Sequence, residues 1–258
     1  GTTSGWNGPI SFTTACAPIT SFPVLEPFTT FLPNACSIKG DNGDLAAGPA
    51  TFGTNGWKDD GFGNVGATGS IAYNHYTTGA NDWIISPQYT IPATGYELKF
   101  DAALTQWNGV GVPTTPWDAG DVLEVLISTN GFTNWTVLYT IDNSNPPAPT
   151  GAPIVVGLNA YASQTVRIAY RVVSGATDAG DDTDIFVDNF QIRLSPTCPD
   201  QTGLVVGGIT SSGANASWDA LTGVTGYQYA VTTSATPPAT GTATTSTFAV
   251  ISTLAPQT

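Results

Sequence analysis

Asp121-Val122-Leu123-Glu124-Val125-Leu126-Ile127-Ser128 runs into Thr129-Asn130-Gly131 and then into Asn134-Trp135-Thr136-Val137-Leu138-Tyr139. The first run is rich in aliphatic and β-branched residues and reads as a buried strand. Asn-Gly supplies the positive backbone angles of a tight hairpin turn, so the second run is the return strand. Outward from this hairpin the same pattern repeats. Tyr96-Glu97-Leu98-Lys99-Phe100-Asp101 alternates strictly, with Tyr96, Leu98 and Phe100 on one face. Thr165–Val172 places Val166, Ile168, Tyr170 and Val172 inward and both arginines outward, and Asp184–Ile192 closes the region. Gly, Pro, Asn and Asp punctuate these runs at short intervals, and helical periodicity is hard to find. The expected fold is all-β, an antiparallel jelly-roll β-sandwich.

Composition narrows the function. The chain has 258 residues, 41% of them hydrophobic, and only 10% are charged, with 19 acids against 6 bases. That apolar content suffices for a packed core and argues against disorder. Nucleic acid is excluded as a partner, because neutralising phosphates takes clustered Lys and Arg. Lys39, Lys58, Lys99, Arg167, Arg171 and Arg193 are scattered singly. No apolar run approaches the ~20 residues of a membrane span. The lack of any Met argues against Gly1 as a translation start, so the chain reads as a piece of something longer. Scarce Lys, abundant Thr, Gly and Asn, and the acidic balance suit an extracellular or cell-surface protein. Cys16, Cys36 and Cys198 form no CxxC and stand near no His, which excludes zinc and redox motifs. Two of them could pair and leave one, or partners could lie outside the chain.

Composition shifts after Arg193, where Ser195-Pro196-Thr197-Cys198-Pro199 reads as a stiff connector. Beyond it, Ala214-Asn215-Ala216-Ser217-Trp218 and Gly226-Tyr227-Gln228-Tyr229 resemble two strands of a fibronectin type III module. In such modules the closing Thr253–Thr258 phrase precedes two further strands that are missing here. The expected organisation is therefore residues 1–15 as the last strand of a preceding module, 16–195 as the jelly roll, and 196–258 as an incomplete immunoglobulin-like (fibronectin type III) sandwich. Trp6-Asn7-Gly8-Pro9-Ile10-Ser11-Phe12-Thr13-Thr14 looks like that last strand.

The jelly-roll region carries a resemblance of its own. Its marks are Ser21–Phe28, Phe31–Cys36, Gly56–Asn64, Asn81-Asp82-Trp83-Ile84-Ile85-Ser86-Pro87 and Ile185–Ile192. This order resembles the MAM-like, cleaved-adhesin domain of Bacteroidetes surface proteins. Such domains alternate with fibronectin type III modules in tandem-repeat proteins exported by the type IX system. The Asp-Asn-Phe ending departs slightly from the family's usual aliphatic residue.

Several chemistries are testable on the residues. His75 is the single histidine, and no G-x-S-x-G elbow occurs, so it is expected in a solvated loop and no catalytic residue is assigned. Gly61-Phe62-Gly63-Asn64-Val65-Gly66 matches a dinucleotide fingerprint, but a charged stretch precedes it and a broken one follows. It reads as a loop needing positive φ. Calcium takes six to eight hard oxygens. The first and last strands of a jelly roll are neighbours, so Glu26 and Asp188 are expected to converge, and Asp41 or Asp44 would be a loop contribution. The resemblance also implies a structural calcium ion near these terminal strands. The acidic run Asp178–Asp184 lacks an ion-loop template and reads as a solvated turn.

Aromatic residues are the other hint, because a pyranose face stacks on an aromatic ring. The loop from Trp107 to Trp117 is the best platform, since its Gly and Pro residues push it to the surface. The competing reading has both rings covering the sandwich edge. Trp57, Trp83, Tyr73, Tyr76 and Tyr161 are further aromatics, with Trp83 and Trp218 expected in the core. Together these features predict a non-catalytic structural or adhesive segment of a cell-surface adhesin or filament, partnered by neighbouring modules or copies. The alternative is a carbohydrate-binding accessory module of a secreted hydrolase, partnered by glycans.

Overall fold

The computed structural model describes residues 16–93, 95–114, 117–177, 182–196, 201–221, 224–233, 238, 240–252 and 254. They belong to two compact units that divide between Ser195 and Pro196. The segment Trp6–Thr14, Cys198 and most of the acidic run lie outside the described residues.

The larger unit opens with β1 (Val24–Glu26), β2 (Ile38–Asp41), β3 (Thr51–Phe52), β4 (Lys58–Asp60), β5 (Ser70–His75), β6 (Asn81–Ile85) and β7 (Tyr89–Thr90). It continues with β8 (Tyr96–Gln106), β9 (Val122–Ser128), β10 (Thr136–Ile141), β11 (Ala152–Gly157), β12 (Thr165–Val173) and β13 (Thr183–Leu194). One sheet has the order β11-β8-β13-β5-β4, with β1 also paired to β13. The other has the order β10-β9-β12-β6-β2-β3, with β7 also paired to β12. Every strand pair in them is antiparallel. The fold is thus an all-β sandwich, and its expected hairpin is β9–β10.

Alternation explains the core. Leu98, Phe100 and Leu104 from one sheet meet Leu123, Val125, Ile168, Tyr170 and Val172 from the other. Each such side chain, fully buried, contributes about 1.5–3 kcal/mol relative to exposure. On β13 the phase changes partway. Ile185 and Val187 face the core, and so do Phe190 and Ile192. The register against β8 breaks between Asp188 and Gln191, where Asn189 adopts φ 50°. This bulge inserts residues at Asp188-Asn189, so that Asn189 and Gln191 are spared from the core. It also lets β13, twelve residues long, pair along one edge first with β5 and then with β1.

The outer faces are not bare. Trp83, Ile85, Leu126, Trp135 and Ala169 form a second cluster on the back of the β12 sheet, under Leu45 and Phe132. Arg167 and Arg171 are on that back face as the alternation predicts, but neither projects freely into solvent. Arg167 lies 4.5 Å from the Phe132 ring centroid and donates to the Ser86 carbonyl (2.6 Å). Arg171 lies over Trp83 and pairs with Glu124 at 3.1 Å.

Cys16 and Cys36 form a disulfide. Of the two readings left open for the cysteines, pairing within the chain holds for Cys16 and Cys36. The bond closes a loop that contains β1.

The smaller unit has β14 (Val205–Gly207), β15 (Ala214–Ser217), β16 (Tyr227–Tyr229), β17 (Thr242–Thr244) and β18 (Phe248–Ile251). They form a three-stranded sheet, β14-β15-β18, and a two-stranded one, β16-β17. Trp218 packs between them, with ring centroids 5.9 Å from Tyr227 and 6.1 Å from Tyr229.

Candidate functional sites

The β13 bulge gathers acids. Asp188 is opposite Asp101 in the β8 register, and β1 brings Glu26 opposite Phe190. The Asn189 side-chain amide donates to Asp101 (2.9 Å) and to Asp188 (3.2 Å). Burial, then the charges of Asp101 and Glu26, push the Asp188 carboxyl up to about 6, against the lowering effect of the Asn189 N–H. Burial likewise raises Glu26, although the Phe28 N–H donates to it at 2.9 Å. Hard oxygens carrying uncompensated charge suit a hard cation. Among the described residues no group of three Asp, Glu, His or Cys side chains is arranged to hold a metal. A calcium ion here would therefore complete its shell from main-chain carbonyls and water.

Asp41 is placed elsewhere. It sits on β2 in the other sheet, directly opposite Asp82 of β6. Burial raises the Asp82 carboxyl and the neighbouring Asp41 raises it further, while the Gly56 N–H (2.7 Å) and the Tyr73 hydroxyl lower it. Asp44 is also remote in role, since it accepts the Ala46 and Ala47 N–H groups in its own turn. The sequence places neither by itself, because β2's partner is set by long-range pairing.

His75 is not in a solvated loop. It ends β5 with 5% exposure, its Nδ1 3.1 Å from Asp121 Oδ2 and its Nε2 3.1 Å from the Ser174 hydroxyl. The signal was present in the alternation of Ile71, Tyr73 and His75, which puts the imidazole in phase with the core. Acid, imidazole and hydroxyl follow the order of a hydrolytic triad. Here, however, Ser174 donates to the Thr77 carbonyl (2.7 Å) and accepts the Ala80 N–H (3.2 Å). Asp121 also accepts the Gly175 N–H at 2.8 Å. The network clasps the β5–β6 turn to the ends of β9 and β12. Burial lowers the His75 pKa, while Asp121 pulls it up.

The two loop tryptophans separate. Trp107 is 54% exposed, and its backbone N–H donates to the Asp182 carbonyl (2.9 Å). Trp117 is 3% exposed, packs 5.5 Å from the His75 ring and donates from Nε1 to the Thr183 hydroxyl. Its expected role as a sugar platform is corrected, because no ring face is open to a ligand. Trp57 and Tyr73 are also buried. Tyr76 is 56% exposed. His75 and Gln106 both pair with Thr183, so the next residues, Tyr76 and Trp107, flank the start of β13 about 10 Å apart.

The acidic run is likewise not all solvated. Asp184 is fully buried and accepts from the Asn64 amide (3.1 Å) and the Asn108 N–H (2.9 Å). The Gly61–Gly66 loop contains a single 3-10 turn, with Gly63 at φ 63° and Gly66 at φ 92°.

In the smaller unit the two sheets stand apart around a trough of about 1280 Å³. Trp218, Tyr227, Tyr229, Ala216 and Ile251 line it, together with Val206, which remains 52% exposed.

No family model matches this chain, and no curated protein matches it. Among solved structures it is similar to the K1 cleaved adhesin domain of Lys-gingipain from Porphyromonas gingivalis, at 18% identity and TM-score 0.45, covering 68% of this chain and 100% of that one. The K3 domain of the same protein aligns at 14% identity and TM-score 0.39, covering 67% and 99%. A xylan-binding module aligns at 10% identity and TM-score 0.38, covering 69% and 99%. These three are adhesin and carbohydrate-binding domains, hydrolase chains such as a xylanase and a beta-1,2-glucanase are also among the neighbours, and likeness at this level says nothing of what this chain binds. Among the described residues no helix is long and apolar enough to cross a membrane.

Proposed function

We propose that this chain is a non-catalytic segment of an extracellular surface adhesin, working by shape and attachment, with a structural calcium ion at Glu26 and Asp188. The observation that carries the reading is the apolar trough of the smaller unit, which presents aromatic and aliphatic side chains suited to docking a protein chain. The commitment of the one imidazole to a clasp between strand ends supports it too. A second reading, a carbohydrate-binding accessory module, rests on the exposed pair Tyr76 and Trp107.

One experiment weighs the two. Beads coated with the chain are passed over immobilised matrix proteins and over polysaccharides, with calcium or chelator. Retention on protein surfaces is the expected result. Retention on polysaccharide alone, abolished by W107A, would move the assignment to the second reading. Turnover of glycoside or peptide substrates would overturn both.

A further inference from the structure

Residues of β1, β6, β12 and β13 enclose a cavity of about 150 Å3 in the larger unit. That volume holds a molecule of about six heavy atoms. The buried Ile84, Ile168 and Phe190 form its inner wall, and the exposed Leu25 and half-buried Glu26 stand at its rim.

Polar groups reach into this apolar space. Tyr170 is 3% exposed and lines the cavity, yet its hydroxyl has no hydrogen-bond partner. An unmet buried hydroxyl is costly, so it marks a place where a polar atom belongs. Burial, and then the neighbouring Tyr89, push the Tyr170 phenol well above its ordinary pKa. Burial also raises Tyr89, and the charge of Glu26 comes next. Glu26, Tyr89 and Tyr170 are thus successive neighbours leading in from the rim. Among the described residues Glu26 has no cationic partner, and its carboxylate accepts the Phe28 N–H.

The backbone is unusual at the same place. Phe28 (φ 43°) and Leu32 (φ 45°) are held in the left-handed region, and both line the cavity. Every other non-glycine residue found there, among the described residues, is Asn or Ser. Bulky side chains rarely adopt this conformation, and such strain gathers where ligands are clamped.

We infer that this cavity binds a primary alkylammonium, its chain against Ile84 and Ile168 and its head between the Glu26 carboxylate and the Tyr170 hydroxyl. An ammonium offers three donors and no acceptor, and both of those oxygens accept. The aromatic rings of Phe28, Tyr89, Tyr170 and Phe190 line the same space and add attraction for a cation. A neutral molecule of the same shape would leave the Glu26 charge uncompensated. A free amine and the lysine side chain of a partner protein share this chemistry. The inference stands apart from the adhesin reading, but it shares Glu26 with the proposed calcium ion, so binding is measured with chelator present.

The full chain, with isotope-labelled isoleucine methyl groups, is titrated by NMR with n-butylammonium to about 20 mM, beside n-butanol. The Ile84 and Ile168 methyl resonances are expected to shift to saturation, with n-butanol binding at least about tenfold more weakly. E26Q keeps an acceptor for the Phe28 N–H, and Y170F removes a hydroxyl that has no partner, so both should fold. Each is expected to weaken binding about tenfold or more. D188N alters an acid outside the cavity lining and should bind within about threefold of wild type. N-acetyl-lysine methylamide decides the source: binding as tight as that of n-butylammonium supports a partner's lysine, and binding of n-butylammonium alone supports a free amine. Unmoved methyl resonances would mean that water alone fills the cavity, and would overturn the inference. Equal binding of n-butanol, or wild-type affinity in E26Q or Y170F, would overturn it too. A loss in D188N as large as in E26Q would place the amine at the acidic bulge instead. Failure of the calcium reading leaves all these outcomes untouched, since no free calcium is present.

Discussion

Asp188 and Asp101 lie directly opposite one another across the β13–β8 ladder, at the point where its register breaks. Like charges in that position oppose each other, and β1 adds Glu26. The Asp188 carboxyl is accordingly raised to about 6, chiefly by burial and then by these neighbours. A carboxyl raised in the folded state supports folding when protonated. Its contribution is whole below the unfolded value of about 4 and is lost as pH rises through about 6.

With chelator at about pH 7.5, D188N is therefore expected to raise Tm by about 2–4 °C, and near pH 4 to leave it unchanged. Added calcium should stabilise the wild type, by about 2.7 kcal/mol at a hundredfold excess over Kd, and D188N far less. The wild-type gain should shrink near pH 5, where protons compete. Differential scanning fluorimetry across pH reads all three. Equal calcium gains in both proteins would remove Asp188 from the site.

The Cys16–Cys36 bond, at a sequence separation of 20, encloses the strand that carries Glu26. Closing a loop of this size stabilises by up to about 3 kcal/mol through the unfolded chain. C36S should lower the urea midpoint accordingly, with m unchanged. Because the β1 segment then loses its covalent tether and keeps its three pairs with β13 and the packing of Val24 and Phe28, the calcium-dependent gain should fall as well. Titration of calcium against Tm in C36S checks this, and an undiminished gain would separate the disulfide from the ion site.

Much of the sandwich was legible because period-2 alternation reports one buried face directly. Leu98 and Phe100, and Val166 to Val172, went where their parity sent them. The adjacency of β1 and β13 followed from jelly-roll topology, and with it the approach of Glu26 to Asp188. Other features depend on partners that sequence order hides. Alternation marks Arg167 as pointing outward, but not that Phe132 folds over it. Asp41 meets Asp82 only through the β2–β6 register. Thr242–Thr244 lacks the apolar alternation that marks a strand, and its pairing with β16 makes it one. His75 was misplaced because turn residues follow it, although Ile71 and Tyr73 already fixed its parity.

Burial holds His75 below its ordinary pKa, with Asp121 pulling the other way. For a depressed imidazole, stability is whole above the unfolded value of about 6.5 and is lost as pH falls toward the folded one. This runs opposite to Asp188, so the comparison must be between variants. H75Q should cost about 1–3 kcal/mol at neutral pH, through the unmet Asp121 and Ser174 contacts. The cost should shrink as pH falls below about 6.5, since the variant has no imidazole to protonate. Chemical denaturation at several pH values measures it, and a pH-independent difference would mean the clasp does not titrate.

Trp107 and Trp117 bound one loop yet should respond oppositely to truncation. Trp117 is buried against His75 and holds Thr183, so W117A opens a cavity where β5 and β13 meet. The expected loss is about 3–5 kcal/mol, enough to lower Tm by many degrees. W107A removes a side chain that is 54% exposed, and its backbone N–H bond to Asp182 survives the change. Its stability should stay within about 0.5 kcal/mol of wild type. That contrast makes W107A the clean probe of sugar stacking, since lost retention on polysaccharide could not be blamed on unfolding. Paired denaturation curves test this: a W107A as unstable as W117A would place both rings in the packing and remove the sugar-stacking reading of Trp107.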